Sequence, residues 1–181
     1  YIYKFQNKED VLVLGPQMHS LVVTVSKIIN ANVKNVPKSW KFNLKGKHNL
    51  ENIACALEVA KVLNIEEKFI KKALASFNPV AGRLELARIY KGIEIYNDTN
   101  STTPDATMAA LNSFDKKVLL ILGGMDKGID VSKLLDILPK KTIKVLLTPG
   151  SGSDKIINKK SKIEKVIDLK EAVHCAVSFA K

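Results

Sequence analysis

An α/β fold, with a mostly parallel sheet covered by helices on both faces, is what the second half of this sequence predicts. Three observations carry it. Short apolar runs alternate with helical patterns from about residue 93 to the end. The runs, "KVLLILGG" at 117–124 and "IKVLLTPG" at 143–150 among them, are apolar at successive positions rather than at every second one, as strands are when both faces are buried. Each run closes on Gly, Asn, Asp, Ser or Thr, the residues of strand-to-helix turns.

The elements follow in chain order. "YIYKFQNKEDVLVLGPQ" reads as the end of a helix and then a strand, Val11 to Leu14. A mixed apolar stretch comes next, and "KSWKFNLKGKHN" reads as a short strand and turn. From Asn49 the period becomes helical: Leu50, Ile53, Ala54, Leu57, Ala60 and Leu63 fall on one face, with Glu51, Glu58 and Lys61 away from it. Ile65, Phe69, Ile70, Ala73, Leu74 and Phe77 repeat the pattern after a turn at Asn64, which predicts a packed helix pair. "NPVAG" at 78–82 breaks it with Pro and Gly and marks a domain boundary, dividing the chain into 1–80 and 81–181.

Beyond the boundary, "LELARIYKGIEIYND" gives two strands joined at Lys91-Gly92. A helix from Pro104 to Phe114 precedes the run at 117–124, and a helix near Val131 to Leu138 precedes the run at 143–150. A helix near Ser153 to Asn158 precedes "EKVID", and a last helix runs from Leu169 to Ala180. This half is a Rossmann-like domain, and in such sheets ligands bind beyond the carboxyl ends of the strands. Three loops lie there: Asp98 to Thr103, Gly123 to Gly128, and Thr148 to Asp154.

Composition narrows the function classes. The 181 residues suit one domain or one domain plus part of another, and 46% hydrophobic with 6% aromatic content suits a Leu/Ile/Val/Ala core. No apolar run reaches the roughly 18 residues of a membrane span, and charged residues appear too early for a signal peptide. The chain opens on Tyr rather than Met, so the start is expected upstream. Cys55 and Cys175 sit apart in helical patterns and read as free thiols of a reducing compartment. The net charge of +11 comes from lysines spread along the whole chain. It reads either as a solvated surface or as a field for anionic ligands; without interleaved aromatics it gives little support to nucleic-acid binding.

The loop "NDTNSTT" puts seven hydrogen-bonding side chains in a row. Thr103 as N-cap, Pro104 in the first helical position and Asp105 in the first turn account for its end. Asp98, Asn100, Ser101 and Thr102 remain for a polar loop or for an anionic ligand at the helix N-terminus. "LGGMDKGID" offers close backbone approach and a cation, Lys127, beside it. In "GKHNLEN", His48 and Asn49 precede a helix, and Asn49 and Asn52 share a face; they read as a cap plus an exposed Asn, or as ligand contacts. In "VAGRLE", Arg83 stands just past the boundary. "TPGSGSD" lacks the spacing of a phosphate loop and reads as a turn with Ser153 as cap.

Taken together, HN-x-x-N, GRLE, YND-T-N-S-T-T-PDAT-x-AAL and LGG-x-DKG-x-D, in that order, resemble the Mur ligases of peptidoglycan synthesis, and within them the branch that adds D-glutamate. The resemblance implies an ATP- and Mg2+-dependent amide ligase, cytoplasmic and monomeric, that joins D-glutamate to UDP-N-acetylmuramoyl-L-alanine through an acyl phosphate, with no nucleic acid and no membrane as partner. It implies that residues 1–80 are the end of a central ATP-binding domain and 81–181 a C-terminal amino-acid-binding domain. Asn49 and Asn52 then match residues beside the adenine, Arg83 an arginine reaching the nucleotide, and Asp98 the acid at its ribose. Thr102 and Lys127 match the pair on the α-carboxylate of D-glutamate, with His48 and Asn100 as further candidates.

Asn100 stands where similar enzymes carry Lys, and Gly82 where the D-glutamate enzymes carry His. A GTNGK-type phosphate loop, the metal ligands and a modified lysine would lie before Tyr1, and a final strand and helix after Lys181. The resemblance therefore implies an interior fragment without catalytic residues of its own, inactive alone. Another Mur ligase, such as the diaminopimelate- or lysine-adding relatives that Gly82 resembles, or folylpolyglutamate synthase is the neighbouring alternative, and a noncatalytic nucleotide- or anion-binding module the alternative of another class.

Overall fold

The structure is a computed structural model and describes residues 2–18, 22–156 and 162–180. The chain divides into two compact units, Tyr1–Pro79 and Val80–Lys181.

In the first unit, β1 (Val11–Leu14) pairs in parallel with β2 (Lys27–Asn30), Val11 opposite Lys27 and Leu14 opposite Asn30. Single 3-10 turns occupy Ile2–Phe5, Pro16–Met18 and Val33–Asn35, and the helices are α1 (Lys47–Val62) and α2 (Glu67–Ser76). The core gathers Ala31, Val36, Trp40, Ile53, Ala54 and Leu57, with Val13, Phe42 and Leu44 against it. The strand expected in "KSWKFNLKGKHN" does not form. Trp40, Phe42 and Leu44 do turn toward the core alternately, but period-two patterning fixes side-chain direction and supplies no partner strand. β2 escaped the sequence reading because its four residues are mostly exposed and lack any alternation.

α1 ends in a Schellman motif. Asn64 takes the left-handed conformation (φ 53°), its N–H donates to the Lys61 carbonyl at 3.0 Å, and that of Ile65 to Ala60 at 3.0 Å. Leu63, expected on the core face, therefore lies at the cap and is 65% exposed. α2 buries no residue fully. Its apolar face meets that of α1 across an open cleft of about 330 Å³ lined by Ile53, Leu57, Ile65, Phe69, Ile70 and Leu74.

Glu58, expected away from the core, is buried. Its Oε1 accepts from Asn35 Nδ2 at 3.1 Å and from Lys61 Nζ at 2.8 Å. The hydrogen bonds from Lys61 and Asn35 hold this carboxyl below its ordinary pKa. A lowered folded-state pKa gives stability that is fully present above the unfolded value and is lost as pH falls through the folded one. Glu58→Gln is expected to remove that acid-side loss and to cost about 1 kcal/mol at neutral pH. Fluorescence of Trp40, the single Trp of the chain and a core residue of this unit, reports both in denaturant titrations.

In the second unit, β3 (Glu85–Tyr90) and β4 (Ile93–Asn97) form an antiparallel hairpin about Lys91 and Gly92, whose φ values of 50° and 81° suit the twist of a two-residue hairpin turn. There follow α3 (Pro104–Asn112), β5 (Val118–Leu122), α4 (Ser132–Lys141), β6 (Thr142–Leu147), β7 (Ile163–Lys165) and α5 (Leu169–Phe179). β5, β6 and β7 make a parallel sheet in that order.

Alternation along β6 explains the layers. Val145 and Leu147 join Leu111 of α3 and Leu134 and Leu138 of α4 on one face. Leu146 joins Ala172 of α5 and Val166 on the other. Helices thus cover both faces, as the continuous apolar runs required. Two expectations change. The hairpin is a sheet of its own, not hydrogen-bonded to β5. The helix near Ser153 to Asn158 is a 3-10 turn, Ser153–Lys155, and the later part of that expected helix lies outside the described residues.

Candidate functional site

The polar loop after β4 is tied to the segment before β3. Asp98 Oδ1 accepts the Leu84 N–H at 2.8 Å, and Oδ2 takes the Ser101 hydroxyl. The Asn100 N–H donates to the Gly82 carbonyl at 2.9 Å, and its Nδ2 to the Ala81 carbonyl at 2.9 Å. Glu85 Oε2 accepts from Gly82 N–H at 3.0 Å. Gly82 and Leu84 both have positive φ, 73° and 47°, which is unusual for a residue as bulky as leucine. The Asp98 bond and the burial of the Leu84 side chain hold it there. Arg83 lies between these two residues, exposed, with a fixed backbone and a guanidinium that has no partner among the described residues.

Thr103 caps α3 as its sequence position predicts, accepting from Ala106 N–H at 3.3 Å, with Pro104 opening the helix and Asp105 in its first turn. The Thr102 hydroxyl is exposed and has no partner among the described residues.

A second pair of loops leaves β5 and β6. The Gly152 N–H donates to the Gly124 carbonyl at 2.9 Å, and the Asp126 N–H to Ser151 Oγ at 3.0 Å. Asp126 Oδ1 accepts from Gly128 N–H at 2.9 Å, and Oδ2 pairs with Lys155 Nζ at 2.6 Å. Lys155 first, and then Gly128, hold the Asp126 carboxyl below the usual range. Lys127 stands between, exposed and in no ion pair among the described residues. Ser153 does not cap a helix; it is buried and donates to the Thr148 carbonyl at 2.7 Å. The turn "TPGSGSD", read as connection only, therefore braces the Lys127 loop. Its two glycines, Gly150 and Gly152, were the available signal.

In the first unit, the N-cap of α1 is Gly46 rather than Asn49. Asn49 lies in the first turn, and its Nδ2 donates back to the Lys45 carbonyl at 2.7 Å. Asn52 is exposed and free among the described residues, and His48 is half-buried.

The candidates thus separate by role. Asn49, Asp98 and Asn100 are engaged in holding backbone, whereas Asn52, Arg83, Thr102 and Lys127 present to solvent side-chain polar groups that have no protein partner among the described residues. Within the second unit, Arg83, Asp98, Asn100 and Thr102 belong to one tied loop pair and Lys127 to the other. No hydrogen bond joins the two pairs among the described residues. Two cations without an ion pair among the described residues stand on braced backbone, so capture of an anion needs ordering of the side chains but not of the loops that carry them.

No family model matches the sequence. Curated relatives do. The UDP-N-acetylmuramoylalanine--D-glutamate ligase of Caldicellulosiruptor saccharolyticus is 37% identical over 154 residues, covering 82% of this chain and 34% of that protein. The enzyme of the same name from Aquifex aeolicus is 33% identical over 99% of this chain and 48% of its own length. The chain belongs to the Mur ligase family.

Solved Mur ligases share its fold. The MurF ligase of Thermotoga maritima, in complex with ADP, matches with a TM-score of 0.76 over 99% of this chain and 49% of that one, at 18% identity. A Mycobacterium tuberculosis folylpolyglutamate synthase complexed with ADP matches at 0.67 over 93% and 47%, at 16% identity. This Mur ligase chain spans between a third and a half of the length of the two curated relatives, 34% and 48%. Its two departures from the expected motifs touch one another. A Cβ on Gly82 would lie 2.9 Å from both Asn100 Nδ2 and Thr99 Oγ1, so the small residue at 82 makes room for the amide that holds Ala81.

Proposed function

We propose that these 181 residues work within a longer ATP-dependent ligase that joins D-glutamate to UDP-N-acetylmuramoyl-L-alanine. The observation that carries the reading is Lys127: a cation with no ion pair among the described residues, on a loop anchored at both sides, in a chain whose relatives bear the name of that ligase. The reaction needs no covalent nucleophile from the protein. A carboxylate oxygen of the nucleotide-linked substrate attacks the γ-phosphorus of ATP and ADP departs. The amine of D-glutamate then attacks the acyl carbon, loses a proton and expels phosphate, forming the amide. Positioning and charge stabilisation carry the catalysis.

In this reading Lys127 and Thr102 hold the α-carboxylate of D-glutamate, the cation by charge-assisted hydrogen bonds and the hydroxyl by a neutral one. Arg83 reaches the nucleotide. Asp98 faces the ribose; a carboxylate has about four lone-pair sites, so bonds to Leu84 and Ser101 leave acceptor capacity. Asn49 and Asn52 lie beside the adenine, Asn52 with its whole amide available among the described residues; His48 and, in the second unit, Asn100 are further candidate contacts. Residues 1–80 are the end of the ATP-binding domain and 81–181 the amino-acid-binding domain. In this reading the ligands of Mg2+ lie in the longer ligase outside these 181 residues.

The ligase acts as a cytoplasmic monomer, with neither nucleic acid nor membrane as partner; no helix among the described residues is long and apolar enough to cross a membrane. Assay of the longer ligase with ATP, UDP-N-acetylmuramoyl-L-alanine and each of D-glutamate, L-glutamate, lysine and diaminopimelate tests this. Phosphate release and an amide product are expected with D-glutamate alone, and none from the 181 residues by themselves. A product with lysine or diaminopimelate instead would reassign the amino acid.

A further inference from the structure

We infer that the turn at 148–154 is the positioning element for Lys127, and that Gly150 is the residue on which this depends. The inference rests on the reading of Lys127 as the partner of the amino-acid carboxylate. Gly150 lies directly against the backbone of Gly124: a Cβ there would overlap the Gly124 carbonyl oxygen and stand 2.9 Å from its carbon and 3.1 Å from its nitrogen. A neighbouring side chain could rotate away. A backbone carbonyl cannot, so any larger residue must push the loops apart.

The contacts that such a shift would break are the ones that flank Lys127. Gly152 N–H donates to the Gly124 carbonyl at 2.9 Å, Asp126 N–H to Ser151 Oγ at 3.0 Å, and Lys155 Nζ pairs with Asp126 at 2.6 Å. The ion pair has a second effect. Asp126 is adjacent to Lys127 in sequence, and its carboxylate would compete for the ammonium and repel an incoming carboxylate. Lys155 occupies it instead.

Wild type, Lys127→Ala, Gly150→Ala and Lys155→Met are compared in the longer ligase, with KM for D-glutamate, KM for ATP and kcat measured for each. Gly150→Ala is expected to raise KM for D-glutamate at least ~10-fold, since a displacement on the order of 1 Å at a binding group can cost up to ~100-fold. Lys155→Met is expected to raise it at least ~3-fold by leaving Asp126 to compete. In both, KM for ATP stays within about twofold; a general loss of structure would lower kcat without splitting the two KM values. Should Gly150→Ala fail to fold by circular dichroism, Lys155→Met decides, because it alters a partly exposed ion pair. If Lys127→Ala raises KM for D-glutamate while the folded variants leave it unchanged, the positioning role is overturned and the carboxylate role stands. If Lys127→Ala itself has no effect, both fall.

Discussion

Replacing Lys127 with alanine raises KM for D-glutamate by about 10- to 150-fold, the equivalent of a charge-assisted hydrogen bond of about 1.5–3 kcal/mol. KM for ATP is expected to stay within about twofold. The asymmetry follows from the geometry. Lys127 is exposed and, among the described residues, in no ion pair, so its removal strands no internal partner. The loop around it keeps its own bonds, Gly124 to Gly152 and Asp126 to Ser151, Gly128 and Lys155. The loss therefore registers on whatever ligand the ammonium holds and on little else. Steady-state kinetics with each substrate varied in turn measure it. Equal increases in both KM values would place Lys127 on the nucleotide, and no increase would remove it from the site.

Leu138→Ala carries the largest expected cost in stability. Leu138 is fully buried in the cluster that joins α3 and α4 to β6, and truncation of such a leucine costs about 2–5 kcal/mol through lost transfer energy and the cavity left behind. Because β6 is the central strand of its sheet and carries the 148–154 turn at its carboxyl end, the loss falls on the scaffold beneath the Lys127 loop. Denaturant unfolding followed by circular dichroism is expected to show an early transition for this unit. Trp40, in the core of the other unit, reports that unit's unfolding, which is expected at its wild-type midpoint. A single shifted transition by both probes would mean that the units unfold as one.

Sequence pattern reached furthest where one local rule decided the outcome. Successive apolar residues made β5 and β6 readable as strands covered on both faces, and Val145, Leu146 and Leu147 do divide between two helical layers. Lys91-Gly92 announced its hairpin, and Thr103-Pro104-Asp105 announced the start of α3. Failures came where a tertiary partner decided. The alternation of Trp40, Phe42 and Leu44 has no strand to pair with, and β2 shows no pattern because little of it is buried. Glu58 looked like a surface residue because nothing local reveals Asn35, which is distant in sequence and hydrogen-bonded to it.

The site divides in the same way. Thr102, Lys127 and Arg83 are candidates named from their motifs, and none of their side-chain polar groups has a partner among the described residues. What the motifs could not give is the bracing. That Asp98 holds Leu84, that Asn100 occupies the space left by Gly82, and that Gly150 sits against Gly124 all depend on loops meeting in space. Small residues in those loops hinted at close approach without saying to what.

The most direct test of the ligase assignment follows oxygen. UDP-N-acetylmuramoyl-L-alanine labelled with 18O in its alanine carboxylate is incubated with the longer ligase, ATP and D-glutamate, and the phosphate and amide product are examined by mass spectrometry. If the carboxylate is phosphorylated and the amine then displaces phosphate from the acyl carbon, one labelled oxygen leaves with phosphate and the other remains in the carbonyl of the new amide. Unlabelled phosphate accompanying a D-glutamate-containing product would contradict the acyl-phosphate route, and failure to form that product at all would contradict the assignment of this chain to D-glutamate ligation.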